Sequence, residues 1–261
     1  MDERIFFRRS NLFSDNGRAK LDLAHVKNVV RLDEFRRSMS PGVSASRPKY
    51  QITTPAGEAY FKFKMSVNEI GAELFTFQIG KALGLEMAET YLASYKDEVG
   101  IVSLDIGEYE EPDDIESYSV KDFLDLDGFV EMCLLDYLVM NEDRHAGNWG
   151  IRDGKVAPLF DHNNCFGGSD GFRDFDHFMA AVTSYLYVHT EYEQRHDYIL
   201  QFLVEELPEQ VMRFMAKVDA LPPIVDEGFE EVYPEHHAEL NRLLQHRIEY
   251  MKRKVREFGG R

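Results

Sequence analysis

The sequence predicts an α+β fold of two unequal parts, a small strand-rich lobe followed by a larger helical one. Three observations carry this. Residues 50–104 hold short aromatic and β-branched runs separated by Pro/Gly and charged turns, with one stretch of helical spacing between them. Residues 105–119 then turn abruptly acidic, with Glu108, Glu110, Glu111, Asp113 and Asp114 around Pro112. Beyond that run, apolar residues recur at helical spacing almost to the C-terminus. On this reading residues 1–107 form an N-lobe, 108–118 an acidic connector and 119–261 a helical C-lobe. Together they make one domain, a size that 261 residues allow.

Taken in order, Tyr50 to Thr54 and Ala59 to Lys64 flank Pro55-Ala56-Gly57 and read as a hairpin. From Asn68 to Leu83 the stripe Ile70, Leu74, Phe77 marks a helix, with Gly84 placed to end it in the left-handed conformation. Residues 91–95 and 100–104 follow as two strands. In the second half Phe129, Met132, Cys133, Tyr137 and Met140 form an apolar stripe ending at Asn141. Residues 192–207, 209–221 and 235–258 read as helices, broken at Pro208 and at Pro222-Pro223.

Composition narrows the partners. Acidic residues outnumber basic ones 47 to 30, a formal charge of −17, so a nucleic-acid backbone would be repelled. The two cysteines give neither a disulfide framework nor a Cys-rich zinc site, and His162, His177, His189 and His196 match no zinc spacing. No stretch reaches 18 apolar residues and the N-terminus has no apolar leader. The expectation is a cytoplasmic protein without membrane insertion.

The richest stretch runs from Asn141 to Asp161. Apolar runs at 149–151 and 156–160 flank Arg152-Asp153-Gly154-Lys155, and Asp-Gly in that setting predicts a tight hairpin. Folding back there brings Asn148, at the entry, toward Asp161, at the exit, with Asp143 just upstream. One carboxylate to accept a hydroxyl proton, and an amide plus a second carboxylate to hold Mg²⁺, is the set that phosphoryl transfer from ATP requires. The Asp-x-x-x-x-Asn spacing is that of a kinase catalytic loop. Each of the three alone is an ordinary turn or cap residue; their hairpin register favours the chemical reading. Asp136, on the apolar stripe of the preceding helix, reads as a brace for the loop.

Nucleotide phosphates also need cations. Lys62 lies within the second strand of the first hairpin, and Lys64 shares its facing because strand side chains repeat every two residues. Glu73 sits beside its helix's apolar stripe, where an unpaired carboxylate is costly. A strand lysine and an inward glutamate point to the ion pair of a kinase small lobe, with Lys62 preferred to Lys64 although spacing alone leaves the choice open. In residues 40–49, Ser44, Ser46 and Lys49 offer hydroxyl and ammonium donors among small residues that let backbone N–H groups approach phosphate, although most such stretches are only surface turns.

Asp143-Arg144-His145-x-x-Asn148, with Asp161 after a short hairpin, resembles the HipA-like kinases, and in particular the compact bacterial CtkA-type Ser/Thr protein kinases, whose catalytic loop reads D-R-H-x-x-N. Tyr60-Phe61-Lys62-Phe63 is similar to their ATP-lysine strand, Glu73 through Leu85 to their first-lobe helix, and Ser44 to Lys49 to their phosphate loop. The resemblance implies a bilobal protein-kinase-like fold using ATP and Mg²⁺ on a protein substrate. It makes Asp143 the catalytic base, Asn148 and Asp161 the metal ligands, and Lys62 the phosphate lysine held by Glu73. His145 would contact nucleotide, and Lys49, Ser44 and Ser46 would line the phosphates. Ser169, Ser44 or Ser46 would be available for autophosphorylation. Asp161-His162-Asn163 stands where many kinases have Asp-Phe-Gly. Residues 1–35 are too short for the extra N-terminal domain of full-length HipA, so a toxin–antitoxin partner is not implied. Rival readings are a lipid or small-molecule kinase, a nucleotide-binding pseudokinase, and a nucleotidyl transferase on the same scaffold. The basic residues of 250–256 read as a solvated helix face.

Overall fold

The computed structural model describes residues 6–7, 29–31, 49–54, 57–95, 98–111, 120–144, 146–170 and 197–260. Strands β1 (Phe6–Phe7), β2 (Val29–Arg31), β3 (Lys49–Thr54), β4 (Gly57–Lys62), β5 (Thr90–Tyr95) and β6 (Glu98–Leu104) form one sheet in the order β1-β5-β6-β4-β3-β2, every neighbour antiparallel. Alternation gives it two apolar faces. Ala59, Phe61, Ala93 and Val102 make a small core with Ile52 and Phe63, while Leu92 and Ile101 join the main core with helix α1 (Val67–Leu83). Lys62, opposite in facing to Phe61, therefore lies on the helix side. The hairpin strand stops at Lys62 rather than reaching Lys64, because Lys64 takes a φ of 57° and leaves extended backbone.

Helix α1 starts at Val67 because Ser66 and Glu69 form a reciprocal capping box, and it ends at Gly84 with a φ of 82°. The main core runs from α1 into the helical part, through α2 (Val120–Leu124), α3 (Phe129–Val139), α4 (Tyr198–Glu206), α5 (Pro208–Asp219), α6 (Glu227–Val232) and α7 (Pro234–Gly259). All of α3 but Glu131 is buried, as befits a central helix packed by α4, α5 and α7. Pro208 and Pro234 sit in the first turns of α5 and α7, where a missing N–H costs nothing. The short α6 was not anticipated. It is capped by Asp226, whose carboxylate accepts from the Phe229 N–H. The C-terminal basic face is less solvated than predicted, since Lys254 pairs with the mostly buried Asp197 at 2.7 Å. Among the described residues no helix is long and apolar enough to cross a membrane.

The acidic run is tied to both parts where it is described. Asp105 accepts from the Tyr60 hydroxyl at 3.1 Å, and Glu110 exchanges two backbone hydrogen bonds with Ile151, each 2.9 Å. Gly150, beside that bridge, meets the Tyr109 ring so closely that any Cβ would overlap it. Gly150→Ala is expected to cost about 1–3 kcal/mol through displacement of that ring. A urea midpoint equal to wild type would show that Tyr109 moves aside freely.

Candidate active site

The catalytic-loop geometry starts from a buried charge. Helix α3 ends at Met140 in the left-handed conformation (φ 54°), which turns the chain into Asn141. On the helix's last turns Asp136, fully buried, accepts from Arg144 Nε and Nη2 at 3.0 Å each and from Asn141 Nδ2 at 2.8 Å. Arg144, with no exposed surface, then donates Nη1 to the carbonyls of Asn148 (2.6 Å) and Phe160 (2.9 Å). Burial alone would lower the guanidinium pKa, but Asp136 beside it more than compensates and keeps it charged. One guanidinium thus clamps the residue that opens the hairpin to the residue before Asp161.

The hairpin is as short as Asp-Gly predicted. Strands β7 (Ile151–Arg152) and β8 (Lys155–Val156) pair around Asp153 and Gly154, both at positive φ (54° and 75°), as a tight primed turn requires. Asp143 is held by three asparagines. Its N–H donates to Asn141 Oδ1 at 3.0 Å, its carbonyl accepts from Asn148 Nδ2 at 2.7 Å, and its Oδ2 accepts from Asn164 Nδ2 at 2.8 Å.

Lys62 reaches across from the sheet. Its Nζ lies 2.7 Å from Glu73 Oε1 and 2.8 Å from Asp161 Oδ1, so the strand lysine, the α1 glutamate and the hairpin-exit aspartate form one charge triad. Lys64, the alternative, is exposed and sits over the Phe63 ring. Burial disfavours the Lys62 ammonium, yet Asp161 and Glu73 outweigh it and raise its pKa. Burial likewise disfavours the Asp161 carboxylate, but Lys62 foremost, and Lys49 after it, bring it down to about 2. Lys49 pairs with Lys62 across β3–β4, which places its charge by the same carboxylate. Asp161 adopts a φ of 60°, a left-handed conformation uncommon outside glycine that turns its side chain out of the hairpin's run.

That shift has a measurable consequence. A carboxyl lowered from its ordinary 3.8 to about 2 adds stability above its ordinary value, lost as pH falls through about 2. The difference in melting temperature between wild type and Asp161→Asn is therefore expected to be full near neutrality and to shrink in acid. A difference that persists unchanged into acid would remove the Lys62 pairing as its source.

Of the expected site residues, Lys62, Glu73 and Asp161 meet in one charge triad with Lys49 beside Asp161, Asn148 bonds the Asp143 backbone, and Arg144 links the Asn148 carbonyl to that of Phe160, next to Asp161. Ser44, Ser46 and His145 lie outside the described residues, as do His177, His189 and His196. Ser169 falls in the 3₁₀ turn Cys165–Asp170. His162 is buried, with Nδ1 3.9 Å from Glu73 Oε2 and Nε2 without a hydrogen-bond partner among the described residues. Two supporting residues were missed by sequence reasoning. Asn164 sits in a turn with no periodic signal. Arg247 of α7, 109 and 110 residues away from its acceptors, donates to the carbonyls of Leu138 and Tyr137 at the end of α3.

No protein-family model matches the chain. A serine/threonine-protein kinase, CtkA of Helicobacter pylori, is 26% identical over 157 aligned residues, covering 44% of this chain. The chain resembles the HipA-like, CtkA-type kinases. The match spans about half of that relative's length, 46%. Among solved structures, the H. pylori proinflammatory kinase CtkA aligns with a TM-score of 0.49 at 19% identity, over 82% of this chain and 93% of that one. HipA from a Shewanella oneidensis toxin–antitoxin complex with HipB and operator DNA aligns at 0.48 and 14% identity, over 94% of this chain and 74% of that one.

Proposed function

We propose that this chain transfers the γ-phosphoryl group of Mg·ATP to a Ser or Thr hydroxyl of a protein. The observation that carries the reading is the Lys62 ammonium shared between Glu73 and Asp161, next to Phe160, whose carbonyl Arg144 ties to that of Asn148. The donor set fits magnesium. Asp161 offers carboxylate oxygens, and Asn148, whose Nδ2 is used by the Asp143 carbonyl, has its amide oxygen as the remaining acceptor. Magnesium takes few side-chain oxygens and retains water and phosphate for its other positions. When bound, Mg·ATP would supply the phosphoryl group, and the metal would offset part of the phosphates' negative charge.

The chain's own residues do the rest. Lys62, oriented by Glu73, positions phosphate oxygens, and Lys49 adds a second positive charge beside it. Asp143 accepts the proton of the attacking hydroxyl, and Asn148 and Asp161 would hold the metal. The preference for Ser or Thr is taken from the relative's name and from the catalytic-loop resemblance.

Incubation with γ-labelled ATP and Mg²⁺ tests the reading. Label is expected on protein Ser or Thr in the wild type and not in Asp143→Ala. Retention of α-label would instead indicate nucleotidyl transfer, label in lipid or a small molecule would replace the protein acceptor, and tight ATP binding without label would indicate a binding module.

A further inference from the structure

We propose that Asn164 is a positioning residue that orients the Asp143 carboxylate and couples the proton-accepting arm of the site to the metal-holding arm; this rests on the phosphoryl-transfer reading above. Asn141 and Asn148 hold the Asp143 backbone, whereas Asn164 holds its carboxylate, through Nδ2 to Oδ2 at 2.8 Å. A general base works only when a given oxygen is presented within hydrogen-bond reach of the hydroxyl, and a hydrogen bond to one oxygen sets the plane of the group. The donor is a neutral amide.

Asn164 is also well placed to couple the two arms. It lies three residues after Asp161 on the same segment, and Cys165 and Phe166, which follow it, are wholly buried. The 3₁₀ turn they begin packs against α1, the helix that carries Glu73. The segment is thus pinned at one end by the Lys62–Asp161 pair and at the other by Cys165 and Phe166. Between these anchors the Asn164 amide reaches the catalytic loop. The separation of Asp161 from the Asp143 carboxylate is set through this contact, which spans 21 residues of sequence.

The test compares wild type, Asn164→Ala, Asn164→Asp and the exchange double variant Asp143→Asn/Asn164→Asp, all in the full chain. Transfer from γ-labelled ATP to dephosphorylated casein, used as a generic Ser/Thr acceptor, and to the chain itself is followed well below each variant's melting temperature. Asn164→Ala is expected to lower kcat roughly ten- to a hundredfold while KM for ATP stays within about twofold, the signature of lost alignment rather than lost binding. Asn164→Asp, isosteric but lacking the donor and bringing a like charge to the carboxylate, is expected to lose at least as much and to melt lower. The exchange variant regenerates the amide–carboxylate pair in reverse, so it is expected to recover the melting temperature while remaining inactive. A kcat for Asn164→Ala within about twofold of wild type would overturn the proposal, as would a loss of kcat matched by an equal loss of ATP binding. A wild-type chain that transfers no phosphate under any condition overturns the functional reading itself and, with it, this role for Asn164. The two failures are told apart by the wild-type lane.

Discussion

Asp143→Asn is expected to lower phosphoryl transfer by roughly a hundred- to ten-thousandfold, the range that general-base removal typically costs, with ATP affinity nearly unchanged. The substitution isolates proton acceptance from architecture. The amide oxygen of asparagine can still accept from Asn164 Nδ2, and the backbone bonds to Asn141 and Asn148 do not involve the side chain at all. The loop therefore keeps its shape, and the nucleotide contacts attributed to Lys62, Asn148 and Asp161 are left in place. What disappears is an oxygen able to take up the hydroxyl proton. Single-turnover transfer together with equilibrium nucleotide binding reads the two effects separately. A variant that binds ATP normally and turns over within tenfold of wild type would mean that Asp143 is not the proton acceptor.

The residues of this site were legible in the sequence to the extent that local rules governed them. Asp153-Gly154 specifies its turn by backbone chirality, so the hairpin that carries the chain back from Asn148 toward Phe160 could be read from spacing. Gly84 likewise marks the end of α1 by its left-handed backbone, whereas the reciprocal Ser66–Glu69 capping box that starts the helix at Val67 was not read. The choice between Lys62 and Lys64 could not be read in this way, because period-two alternation gives both the same facing. It is decided by the backbone of Lys64 turning left-handed and by the position of Asp161, 99 residues further on. Arg247 and Asn164 were invisible for a related reason. Their partners lie on other elements, and neither a helix period nor a turn rule links positions so far apart in sequence. The extent of the Lys254 contact with Asp197 was missed on the same ground: a basic stripe on a terminal helix looks solvated until its packing partner is known.

Asp136→Ala is expected to be the most destabilising single change at the site, by about 3–5 kcal/mol, because it leaves a buried guanidinium without its counter-charge. Arg144 has no exposed surface, so water cannot take over from the lost carboxylate, and the Asn141 amide loses its acceptor at the same time. Arg144→Met should also be costly, by a different route. Asp136 is then the uncompensated charge, and the carbonyls of Asn148 and Phe160 lose their shared donor. Replacing both, as in Asp136→Leu/Arg144→Met, removes the two charges together and fills the space with apolar atoms, so the double variant should be more stable than the sum of the single losses implies. Urea midpoints for the four proteins close this cycle. Phosphoryl transfer should not recover with stability, since the apolar pair has nothing with which to hold the Asn148 and Phe160 carbonyls together. A double variant that regained full activity would show that the clamp stabilises the fold without setting the geometry of Asn148 and Asp161.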